Sequence, residues 1–159
     1  MQNSQKNEDF DRNFQLLPLS REEIDAVLSI EDASFSTPWS RQMFSEETQI
    51  PFSSFYVMKT VSSAELAGYG GFWAVRGEAH LLNIAVAPSF RKRGLGRFLL
   101  RKLFEKMRER NCAVVFLEVR RSNLPARMLY ESEGFTMAGE RKNYYNNPQE
   151  DALIYLKKV

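Results

Sequence analysis

Three groups of residues in this chain have types and spacing suited to chemistry. The first is the turn Arg91-Lys92-Arg93-Gly94-Leu95-Gly96-Arg97. It follows the apolar run Leu81 to Val86 and precedes Phe98, Leu99, Leu103, Phe104 and Met107 at helical spacing. A strand that passes through a glycine turn into a helix leaves the first helical N–H groups without partners, and the helix dipole favours negative charge there. Glycines let the backbone approach an anion closely because no Cβ intervenes, and the surrounding arginines and lysine suit phosphate. The second group is Glu118, a carboxylate that follows the apolar residues Ala113 to Leu117. Such a carboxylate costs free energy unless it is paired or wet. It reads either as a general base at the end of a strand or as an ion-pair partner of Arg120 or Arg121. The third is Tyr130, whose phenol can donate a proton. Its neighbours Met128 and Leu129 make core packing the other reading.

The elements that must position these groups follow from periodicity and punctuation. Phe14 to Leu19 reads as a strand. Ser20 is an N-cap, with Glu22 and Glu23 in the first turn, and Ile24, Val27, Leu28 and Glu31 continue a helix to about Ala33. Pro38 breaks that helix, and Ser40 caps a second, short helix through Glu47. Phe35 and Trp39, between the two, either pack in the core or wall a substrate site. Residues 54–60, 65–75 and 79–86 read as a meander, with Gly68, Gly70 and Gly71 marking bulges or close backbone approach. A helix over 95–110, a strand over 112–119, and a helix from Pro125 to Glu133 closed by Gly134 follow. Asn123 either caps that last helix or faces a ligand. Strand alternation puts Val114, Phe116, Glu118 and Arg120 on one face. Strands over 135–141 and 151–157 end the chain, joined by a loop over 142–148. Residues 1–12 are polar and aperiodic and are predicted to be a disordered tail, so residues 13–159 form a single α+β domain with a mixed sheet.

Composition narrows the function classes. The chain has 159 residues, enough for one good core and short for two. A net charge of +2 argues against direct nucleic-acid binding, which needs a clearly basic surface. One cysteine, Cys112, excludes an intrachain disulfide, and one histidine, His80, leaves no metal site to expect. His80 itself reads as a surface or structural residue. No stretch reaches the roughly 18 apolar residues of a membrane span, and the N-terminus lacks the apolar region of a secretory signal. These features predict a soluble cytoplasmic protein without membrane contact. They leave the oligomeric state open. The glycine turn is neither a Walker A loop, since no Gly-Lys-Ser/Thr follows, nor a full dinucleotide fingerprint, since Leu99 stands at the third glycine position.

The residues together resemble the GNAT superfamily of acetyl-CoA-dependent N-acetyltransferases, whose signature Q/R-x-x-G-x-G/A is matched by Arg91 to Gly96. The blocks Asn83-Ile84-Ala85-Val86, Leu117-Glu118-Val119-Arg120, Ser122-Asn123, Leu129-Tyr130-Glu131-Ser132, Gly134-Phe135 and Arg141-Lys142-Asn143-Tyr144-Tyr145 are similar to the RimI-type ribosomal-protein alanine N-acetyltransferases. Pro38-Trp39-Ser40 is the best match in the first half. The resemblance implies the GNAT fold: a mixed, mostly antiparallel sheet with two central splayed parallel strands, flanked by helices. It implies acetyl-CoA as donor, and no metal. Main-chain groups of Ile84, Ala85 and Val86 would bind the pantetheine arm. The backbone across Lys92, Arg93, Gly94, Leu95, Gly96 and Arg97, with the Arg91 position of the motif, would hold the pyrophosphate, and Asn123 would touch coenzyme A. Glu118 matches the proton acceptor and Tyr130 the proton donor. Phe35, Trp39, Tyr144 and Tyr145 are the expected walls of a peptide slot. The implied acceptor is a protein N-terminus, that of the alanine-initiated small ribosomal subunit protein eighteen. A lysine or small-molecule amine, or a non-catalytic acyl-CoA-binding role, are the alternatives. Ala79-His80 departs from relatives, which often carry an acidic residue there.

Overall fold

A computed structural model describes residues 2–159 of the chain. Helix α1 (Gln2–Asn13) takes the place of the expected disordered tail. The reason lies far along the sequence. Phe10 packs on Phe14 and Phe98 with ring centroids 5.8 and 5.1 Å apart, and Asp11 pairs with Lys102 at 2.8 Å. A single aromatic in a polar stretch creates no periodicity, so only the docking surface reveals the helix.

Strand β1 (Phe14–Pro18) leads to a capping box in which the Ser20 N–H donates to the Glu23 carboxylate at 3.1 Å. Helix α2 (Ile24–Ser34) then buries Ile24, Val27, Ile30 and Glu31. Helix α3 (Arg41–Glu47) begins where Ser40 Oγ accepts from the Met43 N–H at 3.2 Å. Strands β2 (Ser53–Thr60), β3 (Leu66–Val75) and β4 (Glu78–Val86) form the antiparallel meander. Helix α4 (Leu95–Glu109), strand β5 (Val114–Arg120), helix α5 (Leu124–Ser132) and the hairpin β6 (Thr136–Asn146) and β7 (Gln149–Lys158) complete the chain. The seven strands lie in the order β1-β2-β3-β4-β5-β7-β6.

The loop expected over 142–148 is mostly strand. Asn143 takes a left-handed φ of 55° and its N–H donates to Asp151 at 2.9 Å, which absorbs a register shift and lets Tyr145 and Asn146 pair with Glu150 and Gln149. Lys142, Asn143, Asn146 and Asn147 look like turn residues, and only the partner strand makes the ladder.

The sheet separates two apolar cores. On one face α4 and α5 cover Leu81, Val115, Leu117 and Val119. On the other α2 and α3 cover Val57, Tyr69 and Ala85. A Cβ on Gly68 would stand 2.8 Å from the Ala85 carbonyl oxygen, and one on Gly70 would stand 2.6 Å from Leu103 Cδ1. These glycines let β3 lie directly under α4. Gly68→Val is expected to cost about 1–3 kcal/mol by overpacking against backbone that cannot yield. A lowered urea midpoint with unchanged slope is the measurement.

Two features of β4 matter for function. It pairs with β5 only from Glu78–Val114 to Leu81–Leu117; past that rung the parallel strands separate. A bulge at Leu82, between the pairs Gly71–Asn83 and Phe72–Leu81, resets which face each later residue takes.

Candidate active site

The separation of β4 and β5 opens a cleft of about 660 Å³. Of the residues singled out from sequence, Phe35, Trp39, Ile84, Glu118, Asn123, Tyr130, Tyr144 and Tyr145 line it. Ala85, Val86 and the turn 91–97 do not.

Glu118 stands one residue past the last β4–β5 rung. Val115, Leu117 and Val119 point into the α4 core, while Phe116 stacks on His80 at 5.5 Å, so Glu118 emerges on the α2 side of the sheet. Neither Arg120 nor Arg121 pairs with it. Arg120 reaches the Pro148 carbonyl at 2.8 Å, and Arg121 bonds Glu140. The Glu118 partner is Arg141 on β6, which forms an ion pair with it, Nε lying 2.9 Å from Oε1. A hydrogen bond to Glu118 and burial together raise the Tyr144 phenol pKa. Burial, reinforced by the Glu118 charge, pushes Tyr145 up to about 12.

Tyr130 reaches the cleft from α5 on the opposite side. It is 7% exposed, and its ring meets Phe135 edge-on at 5.6 Å. Burial holds its phenol well above the ordinary tyrosine range, so it remains a proton donor at neutral pH. Asn123 caps α5, its Oδ1 accepting from the Ala126 N–H at 3.3 Å, and it also lines the cleft.

Phe35 and Trp39 likewise combine packing with exposure to the cleft. Trp39 lies 5.3 Å from Phe44 and 5.8 Å from Phe55. Ser36 Oγ donates to the Asn147 carbonyl at 2.8 Å, tying this loop to the β6–β7 hairpin that carries Tyr144 and Tyr145. The two aromatic walls therefore meet at one mouth.

The glycine turn sits at the end of β4. Gly94 has φ 90°, a conformation glycine adopts without cost. No side chain caps α4 and no acid occupies its first turn, so its leading N–H groups remain available to an anion. Gly96 has no such backbone requirement: a Cβ there would meet only Val86 Cγ2 at 3.7 Å and Leu129 Cδ2 at 3.9 Å. The fold does not demand this glycine, which fits close approach of a ligand. The arginines around it are partly committed. Arg91 donates to the Val86 carbonyl and Ser34 Oγ, both at 2.9 Å, Arg93 donates to the Ser89 carbonyl at 2.9 Å, and Arg97 donates to Ser132 Oγ at 2.9 Å. The turn thus presents main-chain donors inside a frame of fixed guanidinium groups. Gly96→Val is expected to leave the melting temperature within a few degrees and to raise the KM for acetyl-CoA at least about tenfold, a loss of the order of one charge-assisted hydrogen bond. Paired melting curves and initial rates check it.

His80, read as a surface or structural residue, is exposed and lines the cleft wall beside Phe116. Two cleft residues escaped the sequence reading. Arg141 supplies the cation for Glu118. Glu31 is 1% exposed. It accepts from the Trp39 N–H at 2.9 Å, from Asn83 Nδ2 at 3.2 Å, and from the Tyr69 hydroxyl. Burial pushes its carboxyl up to about 7, against the pull of the Trp39 and Asn83 donors. The signal for it was its place on the apolar stripe of Ile24, Val27 and Leu28, where a solvated acid does not belong. Among the described residues, no group of three or more potential ligands could hold a metal ion, and no helix is long and apolar enough to cross a membrane.

Comparison with known proteins agrees with this geometry. Residues 24–135 match the model of the acetyltransferase (GNAT) family. A Bacillus subtilis protein is 41% identical over 134 residues, covering 84% of this chain and 87% of the relative. A Salmonella typhimurium enzyme named ribosomal protein bS18-alanine N-acetyltransferase is 38% identical over 138 residues, with 86% and 91% covered. The crystal structure of the corresponding ribosomal-protein alanine N-acetyltransferase of Escherichia coli superposes with a TM-score of 0.83 at 34% identity, over 92% of this chain and 94% of that one. The splayed parallel pair, the uncapped helix behind the glycine turn and these relatives converge: the chain belongs to the GNAT family of acetyl-CoA-dependent N-acetyltransferases.

Proposed function

We propose that the chain transfers an acetyl group from acetyl-CoA to the N-terminal amine of a protein, the N-terminal alanine of small ribosomal subunit protein eighteen. One observation carries the reading: Glu118 and Tyr130 enter a single cleft from opposite sides, at the point where β4 and β5 part. The enzyme names of the relatives support the acceptor.

Acetyl-CoA supplies an activated thioester acetyl group. Leu82 to Ala85 has no β5 neighbour on one side, so its main chain is free to pair with an extended arm as an added strand would, whereas the Val86 carbonyl already accepts from Arg91. The N–H groups at the start of α4 receive the phosphates. Glu118, on the α2 side with the aromatic walls, accepts the proton of the acceptor amine. Tyr130, on the α5 side, delivers a proton to the sulfur. The acid–base demand is modest, because an α-amine has a pKa of about 7.7–8.0 against about 10.4 for lysine. Roughly a tenth of α-amines are neutral near pH 7, whereas well under a thousandth of lysines are. No covalent enzyme intermediate is needed, and Cys112 is buried before β5 begins, away from the cleft lining.

The test is incubation with acetyl-CoA and two peptides, one beginning with alanine and one N-blocked with an internal lysine. Acetylation of the first alone is expected; modification of the lysine peptide alone would overturn the reading.

A further inference from the structure

Glu31 on α2 and Asn83 on β4 line the cleft, yet the chemistry above gives neither a task. Glu31 is buried with no cation beside it; the charged neighbour that acts on it is Asp32, of the same sign. An isolated carboxylate is costly to bury, and it is held here by three donors. One of these is Asn83, whose Nδ2 lies 3.2 Å from both carboxylate oxygens. A carboxylate offers acceptors, so the amide turns its NH₂ group to Glu31 and its carbonyl oxygen away. That oxygen, Oδ1, accepts no hydrogen bond within the described residues. Every buried side-chain oxygen or nitrogen among them does have a partner. Oδ1 is therefore open, and the space it opens into is the cleft.

The bulge at Leu82 creates this arrangement. Leu81 packs under α4, and simple alternation would send Asn83 to the same side. The bulge instead places Leu82 and Asn83 both toward α2, and returns Ile84 to the α4 face. Asn83 stands two residues past the last rung on β4 and Glu118 one residue past it on β5, both on the α2 side. Both line the cleft, while Tyr130 comes from the other side.

We propose that Asn83 is an acceptor-binding residue, its Oδ1 taking a hydrogen bond from the α-ammonium of the incoming protein N-terminus. Glu31 is the positioning residue that fixes the amide orientation, because its carboxyl oxygens hold the Asn83 Nδ2 group and so turn Oδ1 toward the cleft. The inference rests on the α-amine reading above.

Its test compares the wild type with Asn83→Ala and Glu31→Gln, using the alanine-initiated peptide and its N-acetylated form as a competitor. In the wild type the free amine binds tighter than the N-acetylated peptide, which has no ammonium. Asn83→Ala is expected to raise the peptide KM roughly tenfold or more, as loss of a hydrogen bond to a charged group does. It abolishes the preference for the free amine and leaves the acetyl-CoA KM within about twofold, since no donor-site contact is removed. Glu31→Gln keeps the side-chain shape and is expected to weaken the same preference several-fold. A structural role alone would not move that preference. If the wild type fails to acetylate the α-amine, the function reading falls. If it succeeds while Asn83→Ala keeps both KM and preference, the Asn83–Glu31 assignment falls by itself. Should Glu31→Gln fail to fold, the Asn83→Ala arm decides.

Discussion

Glu118→Gln is expected to lower kcat by roughly 10²–10⁴-fold while leaving acetyl-CoA binding nearly unchanged, the size of a lost general base. The substitution keeps the volume of the side chain and an oxygen for the Arg141 Nε that now sits 2.9 Å from Oε1. It removes the carboxylate's charge and basicity, and with them the charge in the pair with Arg141. Strand β5 holds the position by burying Val115, Leu117 and Val119 on the α4 side, so the local fold does not depend on the carboxylate. The deficit should also shrink as pH rises through and beyond about 8, because the α-amine is then neutral before it meets the base. Initial rates with the alanine-initiated peptide, alongside calorimetric titration with acetyl-CoA, give both quantities. An unchanged kcat would reject Glu118 as the base; equal losses of kcat and cofactor affinity would make it a binding residue instead.

Tyr130→Phe is expected to slow thiol release by a similar roughly 10²–10⁴-fold. The ring itself is core material, 7% exposed and packed edge-on against Phe135. Phenylalanine fills the same space, so the melting temperature should shift little. What disappears is the hydroxyl, whose pKa is raised chiefly by burial and further by Tyr145 nearby. The sign is that of a donor: desolvation penalises the phenolate, the proton stays on through neutral and mildly alkaline pH, and it is available to the departing sulfur. Continuous detection of free thiol, with a melting curve for each variant, separates the loss of chemistry from the loss of structure. A rate near that of the wild type would remove Tyr130 from the proton path.

Glu118, a carboxylate closing an apolar run, and Tyr130, a phenol inside the next helix, had structural readings beside the catalytic ones, and their roles as base and acid came from the family resemblance. Both were visible in the chain as candidates. So was the glycine turn, since φ 90° at Gly94 and the uncapped start of α4 are consequences of residue type at neighbouring positions. The partner of Glu118 was not legible. Arg120 and Arg121 are adjacent in sequence, but alternation and the β5–β7 pairing send them to Pro148 and Glu140, and Arg141 arrives from another strand. Arg91, Lys92, Arg93 and Arg97 read as cations suited to phosphate; the fold binds the three arginines to carbonyl and hydroxyl oxygens.

Local sequence therefore determined the element order from β1 onward and the glycine turn, and it carried the family resemblance that implies Glu118 as base and Tyr130 as acid. Each of these depends on contacts within a few residues or on a period of 2 or 3.6. Tertiary structure decided what depends on distant partners. Helix α1 exists because Phe10 meets Phe98 and Asp11 meets Lys102. The cleft exists because β4 and β5 stop pairing after Leu81 and Leu117. Asn83 faces Glu31 because one extra residue in β4, set against Gly71 and Phe72 of β3, reverses the alternation that follows. A strand's period of two makes its facing all-or-none, so a single unpaired residue moves a whole segment to the other side of the sheet. Gly70 and Gly71 hinted at such a bulge, but only the pairing with β3 places it at Leu82.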